Sequence, residues 1–406
     1  MTSVPSVQDA EYGCRSPAWT LVACMGISQL VCWGTLHYLI ALFAAPIGLE
    51  LGWTKAQVQT GFSVATLVMA GSSYLVGRWI DVHGGREAMM TGCWLGGLGC
   101  VLLSLVDSYP AYLTAWGIVG VGMRLALYDA AFATLAHVGG ASVKRAMSVV
   151  TIFGGLASTV FWPLGQHLLN LYGWRSALQW YAAFLLCCSV LHLSIPKGRP
   201  LKEQSSLVNG GAKRTVRSQK AVLFLYAYGA VGVLFLQTGM AAHFIELLRA
   251  AGWQQAQAVW LATLLGIGQF SGRIGIALWA YRLNPVALNL VPASLQAFCF
   301  VAYLVSGELV YGAIAFAFLY GLGNGMATYT RGAMPLILFD PKKYGRIVGL
   351  SLKPALGLAA LAPIAFGFII DRWGTSELTA GALILAVSMT GVAALLYWIV
   401  KKNQEI

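Results

Sequence analysis

The chain has 406 residues, 58% of them hydrophobic and only 10% charged, with a formal net charge of +12. A water-soluble domain carries roughly a quarter charged residues, which excludes an ordinary soluble fold. Because the basic residues sort by side of a membrane, the positive-inside rule accounts for the charge and no nucleic-acid partner is implied.

Eighteen mostly polar residues precede the first apolar run, with no small-residue cleavage site behind a short apolar core. The pattern predicts no cleaved signal peptide and a first segment that stays in the bilayer. Twelve spans follow, over 19–45, 56–79, 87–106, 110–136, 145–170, 175–195, 221–247, 254–280, 285–306, 309–336, 346–370 and 377–400. Each is near the ~20 residues that cross the hydrocarbon. The expected class is an all-α membrane protein of twelve transmembrane helices.

The first span carries Gln29, Trp33 and His37. Between spans two and three lies GRWIDVHGGRE at 77–87. It resembles the signature loop of the major facilitator superfamily, roughly G-x-x-x-D-x-x-G-x-R, with Gly77, Asp81, Gly84 and Arg86 on the pattern. The resemblance implies two pseudo-symmetric six-helix bundles. It also gives the loop, Gly77, Asp81 and Arg86, a part in gating. Offset by 200, Asp81 meets Tyr281, so the implied latch is asymmetric.

Span four, GVGMRLALYDAAFATL at 120–135, places Arg124 and Asp129 in apolar sequence. Intramembrane ionisable residues are costly and mark function by default. Five residues apart on one helix, the two point about 140° from each other. Arg124 shares a face with Tyr128. The pattern therefore turns Arg124 and Tyr128 toward a central cavity. For Asp129 two readings stand: neutralising a cation across a helix interface or in a gate, or a protonatable coupling role.

Spans five and six bring FWPLG at 161–165 and GWR at 173–175, the second also common in that superfamily. The superfamily's antiport patterns are poorly matched: the Gly-Pro pair is represented only by FWPLG, and the early span-four arginine falls near Trp116, which weighs against a drug/proton antiporter. The connector 196–220 holds Lys197, Arg199, Lys202, Lys213, Arg214, Arg217 and Lys220 against one acid, Glu203. It reads as a flexible basic linker between a 1–195 bundle and a 221–406 bundle. Arg78, Arg86, Lys144, Arg145, Arg282, Lys342, Lys343 and Arg346 fall on its side, and only Lys55, Arg175, Arg249 and Arg372 on the other. This bias predicts cytoplasmic N- and C-termini in a plasma membrane, the inner membrane if the source is bacterial.

In span eight GIGQFSGR ends on Arg273. Here the chain resembles the monocarboxylate-porter and oxalate/formate-like branches. That resemblance implies that Arg273 pairs with a substrate carboxylate. Gln269 stands where the branch has a proton-coupling aspartate. Asn324, Tyr329 and Arg331 follow in span ten and Lys353 in span eleven. Arg331 and Lys353 read equally as gate residues or as side chains reaching the interface. Gln29, Trp33, Tyr128, Gln237, Gln269, Asn324 and Tyr329 would line an amphipathic site or serve interhelical packing. His37 and His243 are candidates for a proton relay.

An internal repeat supports two parallel halves. GWTKAQ at 52–57 recurs as GWQQAQ at 252–257, GVGMRLALY at 120–128 as GLGNGMATY at 321–329, and Pro163 as Pro363. The eight cysteines lie mostly in apolar runs without a C-x-x-C pair. They read as small buried hydrophobes, with a thiol site for a soft metal or metalloid the alternative. No cofactor or metal site is assigned. No nucleophile–base set, H-E-x-x-H or P-loop appears, so an enzyme is not expected. The expected function is secondary transport of a small organic anion by alternating access, coupled to protons or exchange, with export of drugs, metalloids or metal chelates as the alternative.

Overall fold

The computed structural model of the chain describes residues 19–138, 142–196, 219–279, 282–306, 309–340 and 343–402. The N-terminal eighteen residues, nearly all of the basic connector, Tyr281 and Lys342 lie outside these. Among the described residues there is no strand. Lipid offers no hydrogen-bond partners, so a spanning backbone must satisfy its own polar groups, and helices do so.

The first crossing is α1 (Trp19–Cys32), a π-helical segment (Trp33–His37) and α2 (Leu39–Leu51). Crossings two and three are α3 (Lys55–His83) and α4 (Gly85–Ser104). The fourth is broken into α5 (Tyr109–Ala126) and α6 (Tyr128–Val138). The fifth comprises α7 (Val143–Gly155) and the first part of α8 (Ala157–Leu191), which turns at Gly173 into the sixth, followed by a 3₁₀ turn (His192–Ser194). Crossings seven and eight are α9 (Gln219–Ala250) and α10 (Gln255–Leu278). Crossing nine is α11 (Pro285–Leu288) with α12 (Leu290–Leu304), and ten is α13 (Val310–Ala333) with α14 (Pro335–Leu338). The last two are α15 (Tyr344–Trp373) and α16 (Thr375–Lys402). Eleven described stretches are individually long and apolar enough to span; the segmented fifth crossing makes the twelfth.

The sequence repeat is a repeat of local geometry. Gly52 and Gly252 both take positive φ, 68° and 99°, which costs glycine little. Each ends one crossing. The next then opens with a capping box, Thr54 with Gln57 and Gln254 with Gln257. A further pair was not read from the sequence: Gly173 and Gly374, at φ 74° and 107°, turn crossing five into six and eleven into twelve.

The break in crossing four overturns the reading of a continuous helix over 110–136. Leu127 is extended (φ −80°, ψ −174°). Ala130 N–H then bonds Leu127 instead of Ala126, and the Gln29 side-chain amide donates to the freed Ala126 carbonyl at 2.7 Å. A buried carbonyl must find such a partner. The 140° separation of Arg124 and Asp129 therefore does not hold, and neither does the shared face of Arg124 and Tyr128.

Candidate functional site

The halves meet on the side that carries the 77–87 loop. There α3 crosses α15 at small residues. A Cβ on Gly77 would collide with the Gly345 carbonyl, and one on Gly349 with the Ser73 carbonyl. Gly77 is thus required by the approach of two backbones. Both Asp81 carboxylate oxygens accept backbone N–H groups at the start of α15, from Gly345 and Arg346, at 2.7 Å each. This satisfies orphan amides and sets a negative group on the positive end of the helix dipole. Arg346 returns over the Tyr74 ring of α3, 5.5 Å from its centroid. Arg86 behaves differently. It donates at 2.6 Å to the Ile195 and Leu193 carbonyls, tying crossing three to the end of six within one half. The expected acid–base latch is therefore divided: Asp81 bridges the halves and Arg86 does not.

A charged layer adjoins this crossing. Asp129 pairs with Arg331 across the halves at 3.6 Å, both side chains mostly shielded. Arg124 is buried; its Nε donates to the Ser73 hydroxyl at 2.9 Å and one Nη to the Ser73 carbonyl at 3.3 Å. Asp129, Arg331 and Tyr344 lie within its electrostatic reach. The placement of Arg124 beside Tyr128 in a substrate cavity is therefore corrected. The helix break turns Arg124 onto α3 and into the charged layer. Lys353 is exposed on α15, and no ion pair to it is found among the described residues, which sets it apart from that layer.

Tyr128, one residue before Asp129, faces a second cluster. Its hydroxyl donates to Thr151 at 2.9 Å. Its ring lies 4.9 Å from that of Trp33, which in turn lies 4.7 Å from His37. Phe62 closes on His37 at 5.3 Å. Arg273 reaches this cluster from the other half. Its guanidinium rests over Gly155 of α7, where any Cβ would strike it. Tyr128 and Tyr38 are both within its electrostatic reach. Arg273 is 92% buried from solvent, with 8% exposed, yet its Nε has no hydrogen-bond partner, and neither does the indole nitrogen of Trp33. Trp33 and His37 belong to the π-helical segment, a rare geometry that concentrates at functional sites. Gln269 lies one turn before Arg273 and is half-buried.

Two expected lining residues, Gln29 and Asn324, are engaged by other groups. Gln29 is committed to the Ala126 carbonyl. Asn324 accepts from Gln296 at 3.2 Å. Gln296 borders a cavity of about 30 Å³ inside the second half, with Tyr226, Asn289 and Arg331. Tyr329 is fully buried in the same apolar cluster as Tyr128, its hydroxyl unpartnered. For Gln29 and Asn324, depth in a span does not fix the facing side. His243 sets its two ring nitrogens 2.8 Å from Glu246 and 3.0 Å from the Pro363 carbonyl, tying crossing seven to the proline of eleven.

Sequence reasoning missed Tyr38, Ser73, Gly345 and Gly349. For the last three the signal was present: Ser73 and Gly77, like Gly345 and Gly349, are spaced small-x-x-x-small, the pattern of close helix crossings in membranes. Tyr38 had no such signal, because only folding sets Arg273 against crossing one.

A family profile described as Major Facilitator Superfamily matches residues 21–353. The chain belongs to the major facilitator superfamily. It is a multi-pass membrane transporter and not an enzyme. Among curated proteins it is similar to monocarboxylate transporter 13 of Bos taurus, 28% identical over 317 residues, 75% of this chain and 72% of that protein. A shorter stretch of 90 residues is 31% identical to the oxalate:formate antiporter of Oxalobacter formigenes, covering 22% of each chain. Among solved structures, a superfamily proton:xylose symporter overlays with a TM-score of 0.71 at 13% identity, covering 94% of this chain and 95% of that one, which is a likeness of fold.

Proposed function

We propose that the protein moves a small organic anion of the monocarboxylate kind across a plasma membrane by alternating access, with proton coupling or anion exchange. The observation that carries this reading is Arg273. A buried guanidinium with an unused donor, set among Trp33, Tyr38 and Tyr128 at the seam of the halves, suits an anion with a small apolar body. Arginine binds carboxylates as a planar fork. The similarity to a monocarboxylate transporter supports the substrate class. The halves, 1–195 and 221–406, would rock about this site. The α3–α15 crossing, the Asp81 cap and the Asp129–Arg331 pair would form the gate on the cytoplasmic side, with both termini cytoplasmic.

The test is uptake by proteoliposomes against a panel of radiolabelled monocarboxylates, dicarboxylates, sugars and cationic drugs, with and without a pH gradient. Saturable uptake of a monocarboxylate, competed by other carboxylates and not by sugars, is expected. Transport of cationic drugs alone would overturn the anion reading.

A further inference from the structure

Away from the central seam, three cysteines from three crossings converge. Cys32 ends α1, Cys93 lies in α4 and Cys188 near the end of α8. Their sulfurs all lie within 4.8 Å of one another. Cys32 and Cys93 are fully buried and Cys188 is 3% exposed. The sulfurs of Cys32 and Cys93 stand 3.8 Å apart, so the pair is not a disulfide.

A ring of polar groups closes the cluster. His192 points Nδ1 at the Cys93 sulfur, 3.9 Å away, and holds Nε2 2.7 Å from the Ser28 hydroxyl. Ser28 in turn lies 3.9 Å from the Cys32 sulfur. Ser28 and His192 are themselves buried. Membrane interiors place polar side chains together only where they pair or hold a ligand. Packing does not require four different segments to aim sulfur and imidazole at one point.

We propose that Cys32, Cys93 and Cys188 form a binding site for a trivalent thiophilic metalloid, of the arsenite or antimonite type. Soft ligands select soft ions, and charge decides among those. Three thiolates on a divalent ion leave one uncompensated negative charge, and on a monovalent ion two. Burying net charge in a low-dielectric interior is costly. A trivalent centre with three thiolates is neutral.

The binding step balances without an oxidant. Arsenous acid, As(OH)₃, meets three thiols. Three As–O bonds and three S–H bonds break, three As–S and three O–H bonds form, and three waters leave. No net proton or electron is exchanged. The His192 imidazole, between Cys93 and Ser28, is placed to pass thiol protons to the departing hydroxides. Cys32 directly precedes Trp33, so occupancy would fix the start of the π-helical segment that borders the Arg273 cluster.

The experiment uses the full-length, reduced protein in detergent, titrated with sodium arsenite and read by arsenic X-ray absorption together with a count of free thiols. One arsenic per chain with a shell of three sulfurs and no oxygen, protecting three thiols, is expected. This spectrum needs no variant and so does not depend on a mutant folding. Cys32→Ser, Cys93→Ser and Cys188→Ser should each weaken binding by more than about tenfold and lose the three-sulfur shell. Cys187→Ser, at an exposed neighbour, should leave both unchanged. Oxygen in the arsenic shell of the unmodified protein would overturn the proposal. A three-sulfur shell that survives Cys93→Ser would do the same, as would zinc(II) excluding arsenite from the site.

Discussion

Tyr128 and Asp129 are adjacent in sequence and serve two unlike contacts between the halves. Asp129 joins a layer bound across the halves: its carboxylate meets Arg331, Asp81 caps the first turn of α15, and Arg124 is held by Ser73 through two nitrogens while its third has no partner. Tyr128 joins a layer of rings around one buried cation, with donors of Arg273 and Trp33 unused. The first layer is pinned by an ion pair and by backbone groups of α15, while the second sets aromatic rings beside its cation. On the function proposed above, the first would close the gate and the second would receive the anion. The break at Leu127 lets one crossing serve the two.

Substitutions that separate the two layers give different phenotypes. The largest effect is expected from Gly77→Val, since even a Cβ collides with Gly345. Forcing apart a packed contact costs about 1–3 kcal/mol, so the closed arrangement should fall by about fivefold to 150-fold. Transport should drop to background while the protein still reaches the membrane; normal transport would show that this crossing need not close. Arg273→Ala should lower kcat/KM for the anion by about tenfold to a hundredfold, from the loss of hydrogen bonds to a charged group. Arg273→Lys should rescue little, because a point charge does not reproduce the fork. Full activity in Arg273→Lys would reduce the residue to a diffuse positive field.

The charged layer allows a smaller, reciprocal test. Asp129→Arg and Arg331→Asp should each impair turnover, and the double exchange should recover part of it, as a pair measured by a mutant cycle does. No recovery would mean that the two act separately. Asp81→Ala removes a helix cap worth about 1 kcal/mol. It should shift the balance of open and closed states about fivefold, read from reagent access to a cysteine placed in the 77–87 loop. Lys353→Gln should change uptake by less than about twofold, because no ion pair to it is found among the described residues; a larger loss would return Lys353 to the gate.

Much of this architecture was legible in the sequence because its causes are local. A run of ~20 apolar residues must span as a helix in lipid. A glycine at the end of each such run supplies positive φ, as at Gly52 and Gly252, and the GWTKAQ repeat marked equivalent turns of two halves. The site was legible only in part. Arg273 stood out as a costly charge in an apolar run, and its burial against the other half agrees with that prominence. Arg124 stood out for the same reason, but its direction was wrong, since a helical wheel assumes a helix that Leu127 interrupts. Gln29 read as a lining residue and is instead the partner of the carbonyl which that interruption frees.

The sequence by itself determined the apolar runs that cross, the family, and the repeated turns at Gly52 and Gly252. Hydrophobicity and turn chemistry act over a few residues and are written in order along the chain. Tertiary structure alone decided which face each charge presents, that Asp81 caps a helix 264 residues away, and that Cys32, Cys93 and Cys188 share one point. These depend on where separate helices cross and where one of them breaks. Such crossings are set by the joint packing of all twelve helices, and no stretch of sequence records them singly.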